Sequence, residues 1–371
     1  MPFAQFDRDK VKFFPLGERE NRVFIEWDHI KPDDAPGDLS EQQERLIAET
    51  ADRIVEARKR GASRMLTFGA HAIKNGLAPV MAKLIEDGWV THLATNGAGI
   101  IHDWEFTFIG ESSEHVAANV AQGRFGMWEE TGFFLNLALA VGAFEGLGYG
   151  ESVGAMVEKE GLDIPSEKSL VSAITSGVDD DLDQAAAAAD LLSLVRHFEV
   201  KPGWMDVPHP FKQYGLQAAA YRLGVPLTGH PMIGHDIIYL HPMNHCAAIG
   251  RVAQRDFLTF AQGVSNLTNG VYMSIGSAVM SPMVFEKSMS LAQNVTRQEG
   301  KHIENHFIMV VDLAESHWDW QQGEPPEDHP DYYLRYNKSF SRMGGAMRYL
   351  SADNRDFLLA LLHNLEQRSS D

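Results

Sequence analysis

Three short stretches hold small residues in the pattern that lets backbone N–H groups approach a bound phosphate or pyrophosphate. They are Gly69–Ala70, Asn96–Gly99 and Gly276–Ala278. None matches G-x-G-x-x-G or a Walker A loop; tight turns without a ligand read the same way. Each follows a short apolar run, so Gly69, Asn96, Gly97, Gly99, Gly276 and Ser277 fall where strands end. Asp312 ends another apolar run, IMVVD, where a carboxylate either accepts ribose hydroxyls or caps the strand.

Groups able to move protons or make bonds lie close by. His102 and Asp103 follow the second small-residue loop and read as a general base with an orienting carboxylate, although adjacent side chains point apart. Lys287 follows the third loop; it reads as an imine-forming lysine or a solvated helix residue. The segment Gly229–His245 carries His230, His235, His241 and His245. Their spacing is neither that of H-E-x-x-H nor of a zinc finger. No metal is expected; two or three of these rings are expected to line a polar pocket with Asp236, where Asp236 and His235 would bind a substrate and His241 or His102 would move protons. The alternatives are a metal-dependent hydrolase built on the four histidines and a non-catalytic ligand-binding oligomer on the same fold. The basic residues Arg335, Lys338, Arg342 and Arg348 form a local run that suits an anionic group, a subunit interface or salt bridges.

The elements that position these residues follow from periodicity. Apolar runs at Arg64–Phe68 and Val90–Ala94 flank a helical pattern through Ile73, Leu77, Val80, Met81 and Leu84. That is a β-loop-α-β-loop unit, and such units build parallel sheets with ligands at the strands' C-terminal ends. Further strands are expected at Val225–Thr228, Val271–Ile275 and Phe307–Val311. Helices are expected at Glu41–Arg60, Met127–Gly146, Tyr149–Ile164, Gln213–Leu223, Asp256–Asn269, Met283–Gln293 and Asn354–Glu366. The fold class is a three-layer α/β/α, Rossmann-like arrangement with a mostly parallel sheet. It is read as one domain over 1–371, with 1–36 and 320–371 as peripheral extensions.

Composition narrows the partners. The 371 residues carry a net charge of −19, which disfavours nucleic acid and anionic membrane surfaces and suits a small cationic substrate. One cysteine excludes an internal disulfide and fits a reducing cytoplasm. Met1–Glu18 is polar and of mixed charge, unlike a secretory leader, and no apolar run reaches membrane-spanning length.

Set in order, four segments resemble the deoxyhypusine synthase family. They are LTFGAHAIKNGLAPVMAKLIEDGWVTHLATNGAGIIHD, Val225–His241, Asn266–Gly270 and Phe307–Asp312. The resemblance implies NAD as cofactor, a homotetramer, and oxidation of a polyamine followed by alkyl transfer through a lysine imine. It implies that His71, Asn96, Gly97, Gly99, Ser277 and Asp312 line the cofactor and that Asp236 meets a cationic amine. The family's tryptophan-glycine-lysine element is missing; its register falls near Leu291, with Lys287 the nearest lysine. Its paired histidines are also absent, Phe260–Val264 standing there, and His102 occupies a position the family gives to an acid. A relative with an altered substrate fits this pattern better than a true deoxyhypusine synthase.

Overall fold

The computed structural model describes residues 3–369; residues 1, 2, 370 and 371, the tips of the two extensions, lie outside the described residues. Six strands form the central sheet: β1 (Arg64–Phe68), β2 (His92–Asn96), β3 (Leu227–His230), β4 (Val271–Ile275), β5 (Phe307–Asp312) and β6 (Ala346–Ser351). Every pairing is parallel, and the spatial order is β3-β2-β1-β4-β5-β6. This is the strand order of the Rossmann fold, with its switch point between β1 and β4. β1 and β4 are buried along their whole length because helices cover both faces, which is why they read as continuous apolar runs.

The helices that matter below are α1 (Glu41–Lys59), α2 (Ala70–Lys74), α3 (Ala78–Glu86), α4 (Gly97–Ile109), α5 (Glu129–Glu145), α6 (Tyr149–Lys159), α7 (Glu167–Asp180), α8 (Leu182–His197), α9 (Leu216–Leu223), α10 (Cys246–Ser265), α11 (Met280–Gln298) and α12 (Asn354–Ser369). Ser40 starts α1 through a capping box: its Oγ accepts from Gln43 N–H (3.3 Å) while its own N–H donates to Gln43 Oε1 (2.8 Å). Two small antiparallel sheets lie outside the main one, pairing Asn21–Phe24 with Glu111–Glu114 and Gly161–Ile164 with Gly203–Asp206.

Three departures from the sequence reading have physical causes. The helix expected through Ile73–Leu84 is split into α2 and α3. Gly76 sits between them at φ +77°, where a Cβ would lie 2.3 Å from the Asp28 carbonyl oxygen, so the helix breaks to let that segment pass. The helix expected over Tyr149–Ile164 stops at Lys159, and Gly161–Ile164 becomes a strand whose partner, Gly203–Asp206, lies outside every element expected from the sequence. Pairing between distant segments is invisible to local periodicity. Residues 320–371 are no peripheral extension, since β6 is the edge strand beside β5 and the buried Phe357, Leu361 and Leu365 of α12 join the main core. Of the three readings of the basic run, salt bridges hold for three of its residues: Lys338 and Arg342 share Glu324, and Arg348 pairs with Glu49 (2.9 Å). Among the described residues no single helix is long and apolar enough to cross a membrane; α5 and α6 pass such a test only together, across a 109° bend.

Candidate active site

The parallel register brings the predicted loops to one edge of the sheet. Gly69, Asn96, Gly276 and Asp312 each stand at the C-terminal end of a strand, on β1, β2, β4 and β5. At the switch point Gly69 N–H donates to the Ile275 carbonyl (3.0 Å), and a Cβ on Gly69 would lie 2.0 Å from the Gly276 carbonyl oxygen. Only glycine permits that approach. Asn96 caps α4 by accepting from Gly99 N–H (2.9 Å), and Gly97 and Gly99 are buried beneath the cap. Ser277 is buried, His71 exposed, and Asp312 half-buried with Oδ1 accepting from Ala314 N–H (3.2 Å). The crevice therefore has the position and the glycine-lined backbone at which sheets of this order hold dinucleotides, although it lacks the G-x-G-x-x-G turn.

Beside it lies a cavity of about 510 Å³. Lys74 of α2, Ala98, His102 and Glu105 of α4, and His235 and Asp236 of the loop after β3 stand on its walls, with Arg19, Arg22 and Glu114. The cavity shares α2 and α4 with the switch-point loops. Ser113, also on the wall, has φ +76°, a sparsely populated conformation for a non-glycine residue that costs on the order of 1–3 kcal/mol.

Beneath the cavity runs a buried chain of hydrogen bonds. Arg19 grips Glu105 with both ends of its guanidinium, Nη1 to Oε1 at 2.7 Å and Nη2 to Oε2 at 2.8 Å. Ser112 Oγ donates to Glu105 Oε2 (2.5 Å), and His102 Nδ1 lies 2.7 Å from Ser112 Oγ. Burial alone would raise the Glu105 carboxyl, but the Arg19 charge and hydrogen bonds outweigh it and hold Glu105 below the usual carboxylate range. An ionised carboxylate only accepts, so the Ser112 hydroxyl proton points to Glu105 and Ser112 Oγ must accept from His102. That fixes the tautomer: Nδ1 carries the proton and Nε2 keeps a bare lone pair. Burial lowers the His102 pKa, only partly offset by Glu105, so the ring is neutral at pH 7. His102 is thus equipped as a general base.

Asp236 differs. Its carboxylate lies against the N-terminus of α4, where a Cβ on Gly97 would be 2.2 Å from Oδ2. Oδ2 is buried with no hydrogen-bond partner, and burial raises the group to about 6 despite the nearby His235. A buried acceptor without a donor is costly and calls for an explanation, which a ligand cation supplies.

Several predicted residues stand elsewhere. Asp103 does not orient His102. One residue along a helix turns the side chain by about 100°, and Asp103 instead accepts from Leu216 N–H, Gln217 N–H (both 2.9 Å) and Gln217 Nε2 (3.0 Å), capping α9. Glu105, one helical turn from His102, has the orienting role through Ser112; the i,i+3 spacing was the available signal, while Arg19 and Ser112 left none. His241 is a buried ring packed on Phe13, Phe133 and Phe198, with Glu129 3.5 Å from Nε2, and is absent from the cavity wall. Lys287 is exposed on α11 and paired with Glu286 (2.6 Å), so it is not the cavity's lysine; Lys74 is.

The four histidines do not converge. His230 is buried beside Thr228 (3.0 Å) and Phe260, His235 reaches the cavity, and His245 lies 3.9 Å from Asp190. Among the described residues no group of three or more His, Cys, Asp or Glu side chains is gathered as a metal site requires.

Fold and site together define an α/β protein of Rossmann type with an acid–base cavity beside its switch point. No family model matches the chain, and no curated protein matches it. Among solved structures, a conserved LOR/SDH-type protein from Methanococcus maripaludis S2 is similar at 15% identity and a TM-score of 0.44, over 92% of this chain and 74% of that one. ArgZ, an arginine dihydrolase from the ornithine–ammonia cycle in cyanobacteria, aligns at 13% identity and a TM-score of 0.41, over 87% of this chain and 33% of its own. AgrE, in a ternary complex with ornithine and NAD+, gives 14% and 0.43, over 90% and 34%. The chain thus spans about a third of the length of ArgZ and AgrE. At such scores these likenesses do not tell what this chain binds, and none of the three is a deoxyhypusine synthase.

Proposed function

We propose that this chain is an NAD-dependent enzyme that oxidises a small cationic amine in the His102 cavity. The observation that supports it is the pairing, in one cavity beside the switch point, of a bare His102 Nε2 with the unpartnered Asp236 Oδ2. NAD, when bound, supplies a hydride acceptor. Gly69, Asn96, Gly97, Gly99, Gly276 and Ser277 would hold it by backbone approach, with His71 and Asp312 at the rim. Asp236 holds the substrate's ammonium or guanidinium group. His102 Nε2 takes a proton from the substrate nitrogen as hydride leaves the adjacent carbon, and Ser112, Glu105 and Arg19 keep the ring in the accepting tautomer. Lys74 makes no hydrogen bond or ion pair with the described residues. It and Arg22 suit an anionic group on the same substrate, so a basic amino acid fits the cavity as well as a polyamine.

The deoxyhypusine synthase plan adds alkyl transfer through a lysine. In this chain Lys74, not Lys287, would have to serve. By the same resemblance the assembly would be a homotetramer, and the single cysteine suits a reducing cytoplasm; native mass spectrometry reports the subunit count.

The direct test is cofactor binding. NAD at roughly a hundredfold excess over its dissociation constant should stabilise the protein by about 2.7 kcal/mol, read as a thermal shift. No shift with either NAD or NADH would sink the proposal. His102→Asn should keep the NAD shift and lose about 10²–10⁴-fold in turnover of the amine.

A further inference from the structure

A second cavity, of about 570 Å³, lies against the outer edge of β3, walled by the start of α6, by α9 and by α10. As an edge strand, β3 has outward backbone groups that need partners beyond the sheet. Gly229 N–H donates to Asp256 Oδ2 (2.6 Å), and Gly150 N–H donates to the same oxygen (2.9 Å). Gly148 makes room for the other oxygen, since a Cβ there would lie 1.9 Å from Asp256 Oδ1. Asp256 is only 3% exposed, and burial raises its carboxyl to about 7 in spite of the backbone amides of Gly150, Gly229 and Tyr149.

Gln217, 2% exposed, stands on the same cavity's wall. Its Nε2 donates to Ile100 O and Asp103 Oδ2, both at 3.0 Å, which fixes the orientation of the amide. Oε1 is left buried without a partner. A carbonyl so placed in a native fold needs an explanation. Arg255, the cation among the lining residues, is committed to the carbonyls of Ala143 (3.0 Å) and Leu147 (3.1 Å). The cavity therefore offers acceptors (the Asp256 carboxyl, Gln217 Oε1 and Glu151) over an apolar floor that includes Ala220 and Val225.

We propose that this cavity is a second ligand site, taking a small organic amine or guanidine whose N–H groups face Gln217 and Asp256 and whose carbon body lies on Ala220 and Val225. It is separate from the His102 cavity, which shares none of its lining residues. Gln217, on the wall of this cavity, also holds Ile100 and Asp103 of α4, the helix whose His102 and Glu105 stand on the wall of the other.

The test is calorimetric titration of agmatine into the full chain carrying Asp236→Asn, which disables the other cavity. Saturable binding of one agmatine is expected. Adding Thr259→Trp, an exposed position on the cavity's rim, should weaken that binding at least tenfold without touching a buried group. Gln217→Leu should weaken it by a similar factor. Absence of agmatine binding in the Asp236→Asn protein overturns the proposal, as does unchanged affinity when Thr259→Trp is added; an effect of Thr259→Trp with correct folding, shown by an unaltered melting transition, upholds it.

Discussion

Two regions of this molecule carry ionisable residues at high density, and they behave in opposite ways. Around α4, His102, Ser112, Glu105 and Arg19 form one continuous buried chain of hydrogen bonds. In Gly229–His245 the histidines scatter: one at the end of the edge strand β3, one at the cavity, one in an aromatic core and one near a surface helix. The second region looks the more reactive in sequence and contributes less to the site. Chemistry needs convergence, and convergence is a property of the path of the backbone, not of how many histidines a segment holds.

The comparison can be broken most forcefully at its saturated end. Arg19→Ala leaves Glu105 buried and uncompensated, and should cost about 3–5 kcal/mol in urea unfolding. A loss under ~1 kcal/mol would show that water reaches the pair. Asp103→Ala removes the acceptor for two backbone N–H groups and the Gln217 amide, with an expected cost of about 2–3 kcal/mol; because Asp103 caps α9, the thermal shift given by NAD should survive.

Asp236, the unsaturated end, should respond with the opposite sign. Its folded value of about 6 lies above the ordinary carboxylate value of 3.8, so between these pH values the folded state binds more protons. Native stability therefore falls as pH climbs from about 4 to 6, and the penalty is complete above that. Asp236→Asn removes it: the variant should gain roughly 1–2 kcal/mol over the parent at pH 7.5, gain nothing at pH 4, and lose amine binding in the His102 cavity. A variant less stable than the parent at pH 7.5 would mean that Oδ2 has a partner in solution. The smallest effect is expected at Lys287, where Lys287→Ala should change stability by no more than ~0.5 kcal/mol and leave the NAD shift and amine turnover unaltered.

Much of the frame was legible. β1, β4 and β5 announce themselves as apolar runs because both faces of each are covered, and the small residues after β1, β2 and β4 mark strand exits. β6 was not, because only Met347 and Leu350 of it are buried, with no period-2 pattern, and its pairing with β5 skips a segment that holds the short helix Arg335–Ser341. Of the residues that line the candidate cavity, His102 and Asp236 were legible from position, following a strand-exit loop and lying among histidines. The partner of His102 was mistaken for its neighbour in sequence, although a helix places residues three apart, not one apart, on a common face.

The sequence by itself determined the layers, the parallel sheet and the edge at which the small-residue loops gather, since periodicity and the residues that end strands are local properties. Only the tertiary structure decided which polar groups are satisfied. Arg19 meets Glu105 across 86 positions of chain, and the amides of Leu216 and Gln217 reach Asp103 across more than a hundred. Those meetings fix the tautomer of His102 and leave Asp236 Oδ2 and Gln217 Oε1 unpaired. Desolvation makes such pairing decisive, because a polar group taken out of water must find its partner wherever the fold has brought one.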